Sequence, residues 1–523
     1  MGIYLNPGNR SFQMSLNSRI YVDKSSLIAY TNAVIDTAQR FVCVSRPRRF
    51  GKSVTAQMLA AYYGREADSG GQFDSLRIAK DNSYQKHLNQ YNVIFLNMQH
   101  FLSQTQSVLA FKDRMEKELL WELQEAYPGL HYFDSASLTT VLQTIAVKTG
   151  SGFIFIIDEW DCIFREYKND ADSQKRYLDF MRSLLKDQPY VSLAYMTGIL
   201  PIKKYGTHSA LNMFDEFSMT NPGPLASFVG FTDEEVKSLC KDYQMDEAEI
   251  KRMYDGYCFD GITHIYNPRS VVSALLTGSY DHFWNKTETF EALLNYIVLN
   301  FQGLRDIVTE LLAGVRKRVN TATFSNDMAT FSSADDVLTL LIHLGYLGYE
   351  IKTKEVFIPN EEIAAEFCNA VEAAGWEHVA DAIKKSEVLL AATIRMDSAA
   401  VAAGIEAAHM QTSLLAYHDE NALSCTIALA YYCAREYYFI FRELPAGKGF
   451  ADLVFLPRHT HPEKPALIIE LKWDKSALGA IGQIKDRVYT EPFADYKGRL
   501  LLVGINYDRK TKKHECIIEE ITK

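Results

Sequence analysis

The chain has 523 residues, of which 47% are hydrophobic and 23% are charged. This length predicts about two to four domains, and the composition is that of a globular protein, which excludes disordered and fibrous classes. The net charge of −10 argues against a protein that binds nucleic acid over its whole surface, although a local basic groove remains compatible with it.

Membrane and secretory signals are absent from the sequence. No run of about eighteen apolar residues is present, so neither a membrane-spanning helix nor a membrane partner is expected. The start, MGIYLNPGNR, lacks the basic and apolar segments of a secretory signal. The eight cysteines show no CxxC spacing, which predicts reduced thiols rather than a zinc site or a disulfide framework. These features predict a cytoplasmic protein.

Short apolar runs alternate with helical patterns over residues 1–230. The runs are continuous and rich in β-branched and aromatic residues, which is typical of strands buried on both faces of a parallel sheet. Strands that alternate with helices predict an α/β domain. The predicted strands are 40–45, 92–97, 153–158 and 191–197.

The first predicted strand leads into the loop RPRRFGKS (46–53) and then into a helix. Gly51, Lys52 and Ser53 match the end of the Walker A pattern, in which amides and the lysine surround phosphates and the hydroxyl binds Mg²⁺. A helix N-terminus after the loop also favours phosphate. Arg46 stands at the first glycine position, so the strict pattern fails there. The alternative is a basic turn that caps a helix.

The run FIFIIDEW (153–160) is an apolar strand that ends in two acids, as in a Walker B strand. In that interpretation Asp158 holds Mg²⁺, and Glu159 orients and deprotonates the attacking water. Asp161 either joins this acidic cluster or caps the next helix, and the cap is favoured. Thr197 either senses the γ-phosphate or completes a turn at the strand end.

Two arginines, Arg48 and Arg49, precede the glycine of the phosphate-binding loop. They either neutralise phosphate charge, reach a neighbouring subunit as arginine fingers, or lie on the surface with no such role. The second alternative leaves a homo-oligomer open. The cofactors predicted for this domain are ATP and Mg²⁺.

Residues 231–400 are mostly helical. FTDEEVKSL (231–239) begins with a capping-box pattern formed by Thr232 and Glu235. Near 335–365 the order of elements is helix, hairpin, helix. This order predicts either a winged-helix-like unit or a helical connector with one hairpin, and the region as a whole is expected to be a lid and connector.

Residues 401–523 return to an α/β pattern, and two of the strands end in charged residues. Glu470 and Lys472 are two residues apart in ALIIELKWD, so they project from the same face of a strand. Asp452 begins the preceding strand, and a hairpin can bring it beside Glu470. Two carboxylates and a lysine suit phosphodiester hydrolysis with Mg²⁺ or Mn²⁺, in which the acids hold the metal and the lysine orients water.

Four segments carry a family resemblance: IYVDKSSLI (20–28), SRPRRFGKS (45–53), IIDEWD (156–161) and YDGYCFDGITHIYNPRSV (254–271). With them the chain resembles the AAA-ATPase-like family of bacterial and archaeal proteins, which often carry a PD-(D/E)XK nuclease-like C-terminus. The resemblance implies an additional-strand P-loop NTPase in which arginine usually replaces the first glycine.

Three further residues are interpreted through the nuclease superfamily. The D…ExK pattern matches it at Glu470 and Lys472. The resemblance implies that Glu420 is a further metal-binding carboxylate and that Gln483 is a supporting glutamine. The alternatives are a helix-dipole partner for Glu420 and a solvated side chain for Gln483. Phe450 stands where the family usually has arginine, which affects substrate contacts rather than metal ligands.

The leading functional prediction is ATP-regulated, Mg²⁺-dependent cleavage of nucleic acid, with DNA as the first choice of partner, in DNA processing or defence. The alternative is a nucleotide-gated regulatory protein whose nuclease-like domain recognises nucleic acid or protein without cutting. Residues 401–523 contain 16 basic and 16 acidic side chains, so charge alone gives nucleic-acid binding little support.

Overall fold

The computed structural model contains two compact units, each built from two stretches of chain. The N-terminal unit comprises residues 1–289 and 318–363, and the C-terminal unit comprises 290–317 and 364–523. The chain therefore passes between the units after residues 289, 317 and 363. The division at 230 and 400 expected from the sequence stays a prediction. The described residues are 2–105, 107–202, 204–205, 208–209, 211–259, 262–284, 298, 303–326, 328, 331–411, 420–446, 449–487, 489, 496 and 498–521.

The strands, numbered in chain order, carry both candidate sites. They are β1 Phe41–Ser45, β2 Asn92–Asn97, β3 Phe153–Asp158, β4 Val191–Gly198, β5 Lys204–Tyr205, β6 His208–Ser209, β7 Asp215–Phe217, β8 Phe231–Thr232, β9 Tyr257–Phe259, β10 Ile262–Tyr266, β11 Lys317–Arg318, β12 Gly348–Glu350, β13 Glu355–Phe357, β14 Tyr438–Ala446, β15 Gly449–Pro457, β16 Ala466–Trp473, β17 Leu500–Asp508 and β18 Lys513–Ile521.

Helices connect these strands in both units. Those of the first part are Arg10–Leu16, Leu27–Val34, Lys52–Tyr63, Gly70–Phe73, Tyr84–His87, Met98–Ser103, Val108–Ala126, Leu138–Thr149, Cys162–Glu166, Ala171–Leu185, Asp233–Tyr243, Glu247–Tyr254 and Pro268–Thr277. Those of the second part are Leu304–Leu312, Ala334–Leu344, Glu361–Ala373, Glu377–Ile394, Ser398–Gln411, Glu420–Ala430, Ala434–Tyr437 and Ala477–Asp486. Across the described residues, no helix combines the length and apolar character needed to cross a membrane.

The central sheet of the N-terminal unit is parallel and has the order β2–β3–β4–β1–β7. β1, β3 and β4 are buried at every position, which explains why their sequences are continuously apolar. β4 lies between β1 and β3, so the sheet has an additional strand between the two that carry the predicted site. The predicted fold class of this part is confirmed. Because the strands are parallel, their carboxyl ends meet at one edge.

The YVDKS segment fixes the N-terminal arm to its surroundings. Asp23 accepts hydrogen bonds from the amides of Ser25 (2.8 Å) and Arg77 (2.7 Å). Lys24 donates to Glu235 at 2.6 Å and to the carbonyl of Ser227 at 2.7 Å. Glu235 is also the second member of the predicted capping box, which the structure contains in full. The segment thus ties the arm to the helix Asp233–Tyr243.

The stretch 318–363 completes the N-terminal unit. The helix Ala334–Leu344 is followed by the antiparallel hairpin of β12 and β13 and by the helix Glu361–Ala373, in the order that the sequence predicts. The stretch ends within the first turn of this last helix. Glu362 is 1% exposed and accepts hydrogen bonds from the amides of Phe283 (2.6 Å) and Trp284 (2.8 Å) and from the hydroxyl of Ser270 (2.8 Å). This buried carboxylate therefore holds the stretch against the end of 1–289.

The C-terminal unit is a mixed sheet in the order β14–β15–β16–β17–β18. β16 runs parallel to β17, and the other neighbours are antiparallel. Alternate residues of β16 enter two different cores: Leu467 and Ile469 pack into one, and Ala466 and Ile468 into the other. A strand buried on both faces explains the apolar run before Glu470. This mixed α/β architecture confirms the predicted fold class.

Candidate functional sites

The loop after β1 wraps around its own lysine. Gly51 has φ of +95°, a conformation that glycine adopts without strain, and it precedes the helix that begins at Lys52. The Lys52 ammonium donates to the carbonyls of Arg46 at 2.9 Å and Pro47 at 2.8 Å. Burial lowers the pKa of Lys52, and the carboxylate of Glu159 acts in the opposite direction.

Arg46, which stands at the first glycine position of the Walker A pattern, anchors the start of the loop. Its side chain is fully buried, donates to the carbonyls of Ser45 and Phe217, both at 2.9 Å, and lies 4.8 Å from the ring centroid of Phe259. Burial lowers the pKa of Arg46 to about 10. The arginine therefore ties the start of the loop to β7 and β9.

Asp158 and Thr197 meet at the carboxyl edge of the sheet. The Thr197 hydroxyl donates to Asp158 Oδ1 at 2.5 Å, and the amide of Glu159 donates to the same oxygen at 3.1 Å. Asp158 is 1% exposed. Thr197 thus orients the acid predicted to hold Mg²⁺, a contact that neither of its two sequence interpretations included.

Glu159 turns away from the strand towards a cavity. Its φ is +57°, which is uncommon for a residue with a side chain and occurs often at functional sites. Its carboxylate forms an ion pair with Arg165. Burial raises the pKa of Glu159, Asp161 and Asp158 raise it further, and Arg165 and Lys52 oppose them.

The favoured interpretation of Asp161 as a helix cap is wrong. Asp161 precedes the helix Cys162–Glu166 but makes no side-chain capping bond. Its carboxylate instead accepts the amides of Ile199 (3.0 Å) and Leu200 (2.9 Å), which follow β4, and it lies 3.4 Å from Arg165 Nε. The two amides are the partners that the buried carboxylate uses in place of a helix cap, and its membership of a metal-binding acidic cluster stays a prediction.

A cavity of about 920 Å³ opens at this edge of the sheet. Gly51 and Ser53 line it, together with Glu159. Both loop arginines also line it, although Arg49 donates to the carbonyl of Phe283 at 3.0 Å. The cationic residues around the cavity are Arg48, Arg49, Lys52, Arg165 and Arg269.

Sequence reasoning missed two of these cations. Arg165 follows Asp158 by seven residues. Arg269 is the second residue of the helix Pro268–Thr277, whose N-cap is Asn267. Asn267 caps this helix with its side chain, because its Oδ1 accepts the amide of Arg269 at 2.9 Å. Arg269 lies in the family-like segment YDGYCFDGITHIYNPRSV, which is the sequence signal that could have found it.

The second site lies on β15 and β16 of the C-terminal unit. Leu453 pairs with Ile469 in the antiparallel register, which places Asp452 opposite Glu470. Asp452 Oδ2 accepts the amide of Leu471 at 2.7 Å. The two acids expected to share a metal ion are therefore neighbours.

Lys472 and Gln483 both contact the same oxygen of Glu470. Lys472 Nζ donates to Glu470 Oε1 at 2.8 Å, and Gln483 Nε2 also donates to it. Glu470 Oε2 is buried and makes no hydrogen bond with the described residues. Burial raises the pKa of Glu470 to about 7, Asp452 adds to the increase, and Lys472 opposes it.

Glu420 is the predicted metal-binding acid whose role the structure does not test. The helix Glu420–Ala430 begins at this residue, but its side chain lies outside the described residues. Within the described part of the chain, no group of three or more acidic, histidine or cysteine side chains is placed to hold a metal. Asp452 and Glu470 are thus a pair to which Glu420 would be the third acid.

Two residues near this pair were also missed in the sequence. Gln483 Nε2 lies 3.3 Å from the Tyr489 hydroxyl, and Arg487 Nη1 lies 3.5 Å from the same atom. The charge of Arg487 lowers the pKa of Glu470. Arg487 follows Gln483 by one helical turn, at the C-cap of the helix that ends at Asp486. Tyr489 lies beyond the helix, and its distance of six residues from Gln483 is not a helical spacing.

Comparisons with known proteins match the two units separately. Residues 8–207 match the family described as a predicted AAA-ATPase, and residues 419–516 match the PD-(D/E)XK nuclease superfamily. A curated relative, an uncharacterised protein in the vnfD 5′ region of Azotobacter chroococcum mcd 1, is 21% identical over 280 residues. The match covers 51% of this chain and 51% of the relative, so the chain spans about half the length of that protein.

Two solved structures of archaeal proteins show a weaker likeness. The Walker-type ATPase of Pyrococcus abyssi is 14% identical, with a TM-score of 0.32, over 66% of this chain and 94% of its own. The ORC2 protein of Aeropyrum pernix is 11% identical, with a TM-score of 0.31, over 70% of this chain and 98% of its own. The family matches and the sheet topologies are the firmer result. This chain joins a domain of the predicted AAA-ATPase family to a domain of the PD-(D/E)XK nuclease superfamily.

Proposed function

We propose that this protein hydrolyses ATP in its N-terminal unit and uses that cycle to regulate cleavage of nucleic acid, with DNA as substrate, in its C-terminal unit. The observation that carries the nuclease part is the buried, unpartnered Oε2 of Glu470 among the described residues. A buried carboxylate oxygen without a donor is costly, and a bound cation satisfies it. Asp452 faces the same position across the two strands.

The residues present fit a divalent cation. Asp452 and Glu470 would hold it, and Glu420 is proposed as a third ligand. When bound, Mg²⁺ or Mn²⁺ supplies a Lewis acid for the phosphate oxygens. Lys472, which is 7% exposed, offsets negative charge beside the scissile phosphate and holds Glu470 together with Gln483.

The ATPase part uses the cavity at the end of the parallel sheet. Lys52, Arg48 and Arg49 bind phosphates, and Ser53 and Asp158 would hold Mg²⁺. Glu159 accepts a proton from the attacking water. Arg48 and Arg49 lie in the loop after β1, and Lys52 and Ser53 begin the helix that follows it. Asp158 ends β3, and Glu159 follows it directly.

A cleavage assay tests the proposal. Purified protein is incubated with supercoiled plasmid, single-stranded DNA and RNA, in Mg²⁺ or Mn²⁺, with and without ATP. We expect cutting of DNA that is lost in Glu470→Gln and changed by Lys52→Ala. Glu463→Gln is the matched control, because Glu463 is a 66% exposed acid on the same hairpin. Cutting that persists in Glu470→Gln would contradict the proposed site.

A second candidate is nucleotide-gated recognition of nucleic acid without cutting. Phe450 favours it, because this residue is 60% exposed and lies two residues before Asp452, on the same face of β15. An exposed aromatic ring can stack on an unpaired base. Under this candidate the protein cuts no substrate, and Phe450→Ala weakens binding of single-stranded DNA while Glu470→Gln leaves it unchanged.

A further inference from the structure

Arg165 is a buried cation of the cavity and is paired with two acids, Glu159 and Asp161. Its side chain is 9% exposed, and it lines the cavity with Lys52 and Glu159. Burial acts to lower the pKa of Arg165, but Asp161 and Glu159 outweigh it and the pKa is raised. The guanidinium is therefore a permanent positive charge inside the proposed nucleotide site.

The two ends of this guanidinium are held differently. Nε lies 3.4 Å from Asp161 Oδ2, and that carboxylate is itself fixed by the amides of Ile199 and Leu200. Nη2 donates to Glu159 Oε2, whose side chain is 24% exposed and faces the cavity. One end thus has a rigid, fully buried partner, and the other has a partner at the cavity wall.

The Arg165 guanidinium can therefore exchange Glu159 for another anion while it keeps its contact with Asp161. Guanidinium groups bind carboxylates and phosphates with the same planar geometry. A phosphate in the cavity would compete with Glu159 for Nη2, while Asp161 keeps the arginine in place. The positive charge of Arg165 also acts on Lys52, since it lowers the pKa of that lysine.

We propose that Arg165 recognises the terminal phosphate of a nucleoside triphosphate and, by binding it, releases the carboxylate of Glu159 to act on water. The inference rests on the proposed ATPase function and adds to it a residue that distinguishes triphosphate from diphosphate. Glu159 and the terminal phosphate are then alternative partners of one cation, so the base becomes free only when the phosphate to be cleaved is in place.

The test compares two nucleotides on the full chain by isothermal titration calorimetry in Mg²⁺: ADP and the β,γ-imido analogue of ATP. In Arg165→Gln we expect the preference for the triphosphate analogue over ADP to fall roughly tenfold, the size of one charge-assisted hydrogen bond. Arg165→Lys keeps the charge beside Asp161 but lacks the fork, so it should lose the same preference even if the glutamine variant does not fold.

Glu159→Gln supplies the complementary measurement. Removing the charge that competes for Arg165 should tighten binding of the triphosphate analogue several-fold and leave ADP unchanged, which a purely structural arginine would not produce. Arg182→Gln is the matched control, since Arg182 is 47% exposed and pairs with Asp179, three residues earlier in its own helix. It should change neither affinity.

A wrong role for Arg165 and a wrong nucleotide site would give different results. The nucleotide site is supported if the wild-type protein binds both nucleotides and Lys52→Ala lowers both affinities. The role of Arg165 is nevertheless wrong if its variants lower both affinities equally or change neither. An unchanged analogue affinity in Glu159→Gln also overturns the role. If wild type binds neither nucleotide, both the site and the inference are overturned.

Discussion

Two lysines of this chain, Lys52 and Lys472, lie in the interior with exposures of 5% and 7%. Burying an ammonium group is costly unless polar partners replace water. Lys52 has two loop carbonyls, and Lys472 has Glu470. Buried, partnered charges beside strand ends are typical of functional sites, and each candidate site contains one of them.

Thr197→Val tests the contact that orients Asp158. Valine keeps the volume of threonine and removes the donor to a buried carboxylate, so we expect kcat for ATP hydrolysis to fall by about tenfold, corresponding to the loss of one hydrogen bond to a charged group. Steady-state kinetics measure it. Thr31→Val is the control, because Thr31 is equally buried and bonds Tyr63 at 2.7 Å. An equal loss in the control would refute a specific role for Thr197.

Metal binding at the C-terminal site should depend on pH around neutrality. The pKa of Glu470 is raised to about 7, and a protonated carboxyl does not bind a cation. Affinity therefore rises with pH, by roughly tenfold between pH 6 and 8, and levels off above the pKa. Calorimetric titration of Mn²⁺ measures this dependence, and Glu470→Gln should abolish it. An affinity independent of pH would contradict the assignment.

At the residue level the sequence predicted the groups that strand geometry fixes. Glu470 and Lys472 share a face because they are two apart, and Asp158 ends an apolar run. Arg165 escaped because its partners Glu159 and Asp161 come together only through a turn with positive φ at Glu159. The cap assigned to Asp161 failed because two tertiary amides outcompete a local one.

At the level of elements, one glycine determines how closely a helix approaches the second site. Gly504 pairs with Glu470 in the parallel register of β16 and β17. A Cβ there would lie 2.4 Å from the carbonyl oxygen of Ala477, in the helix that carries Gln483. The missing side chain is what lets Gln483 reach Glu470.

Gly504→Ala should displace that helix. We expect a loss of about 1–3 kcal/mol in the free energy of unfolding, because a tightly packed interface resists even one methyl group. Metal affinity should fall as well, since Gln483 moves from Glu470. Urea denaturation and calorimetry measure the two effects. Gly482→Ala is the control, with no atom within 4 Å of its added Cβ, and it should stabilise the helix by up to about 1 kcal/mol.

The strands were predictable to within a few residues because both sheets bury continuous apolar runs. β14 and β18 were harder, since the exposed edge positions of β14 and the alternating burial of β18 give each a weaker apolar signal. The closeness of Gln483 to Glu470 depends on Gly504, which lies in another strand. Such a relation between distant stretches has no local pattern in the sequence.

At the level of the whole molecule, the two units are interleaved along the chain. Neither unit is formed by one continuous stretch of chain. No linker rich in proline or glycine marks the points where the chain passes from one unit to the other. This is why composition suggested three consecutive regions. The buried contacts of Glu362 show what the returning stretch 318–363 contributes.

A fragment of residues 1–289 should therefore be less stable than a fragment of residues 1–363. The shorter one loses a buried carboxylate that accepts three hydrogen bonds, which we expect to cost about 2–5 kcal/mol. Thermal unfolding and limited proteolysis compare them. Glu362→Ala in the longer fragment should reproduce much of the loss. Equal melting temperatures for the two fragments would show that the stretch is dispensable.

The interleaving also imposes an order on biosynthesis. The last stretch of the N-terminal unit ends at residue 363, well before the ribosome reaches Asp452 or Glu470. Domains generally fold as units during synthesis, starting from the N-terminus. A nascent chain can thus complete the proposed nucleotide site before it possesses the acids of the second site, so the unit proposed to regulate cutting is made first.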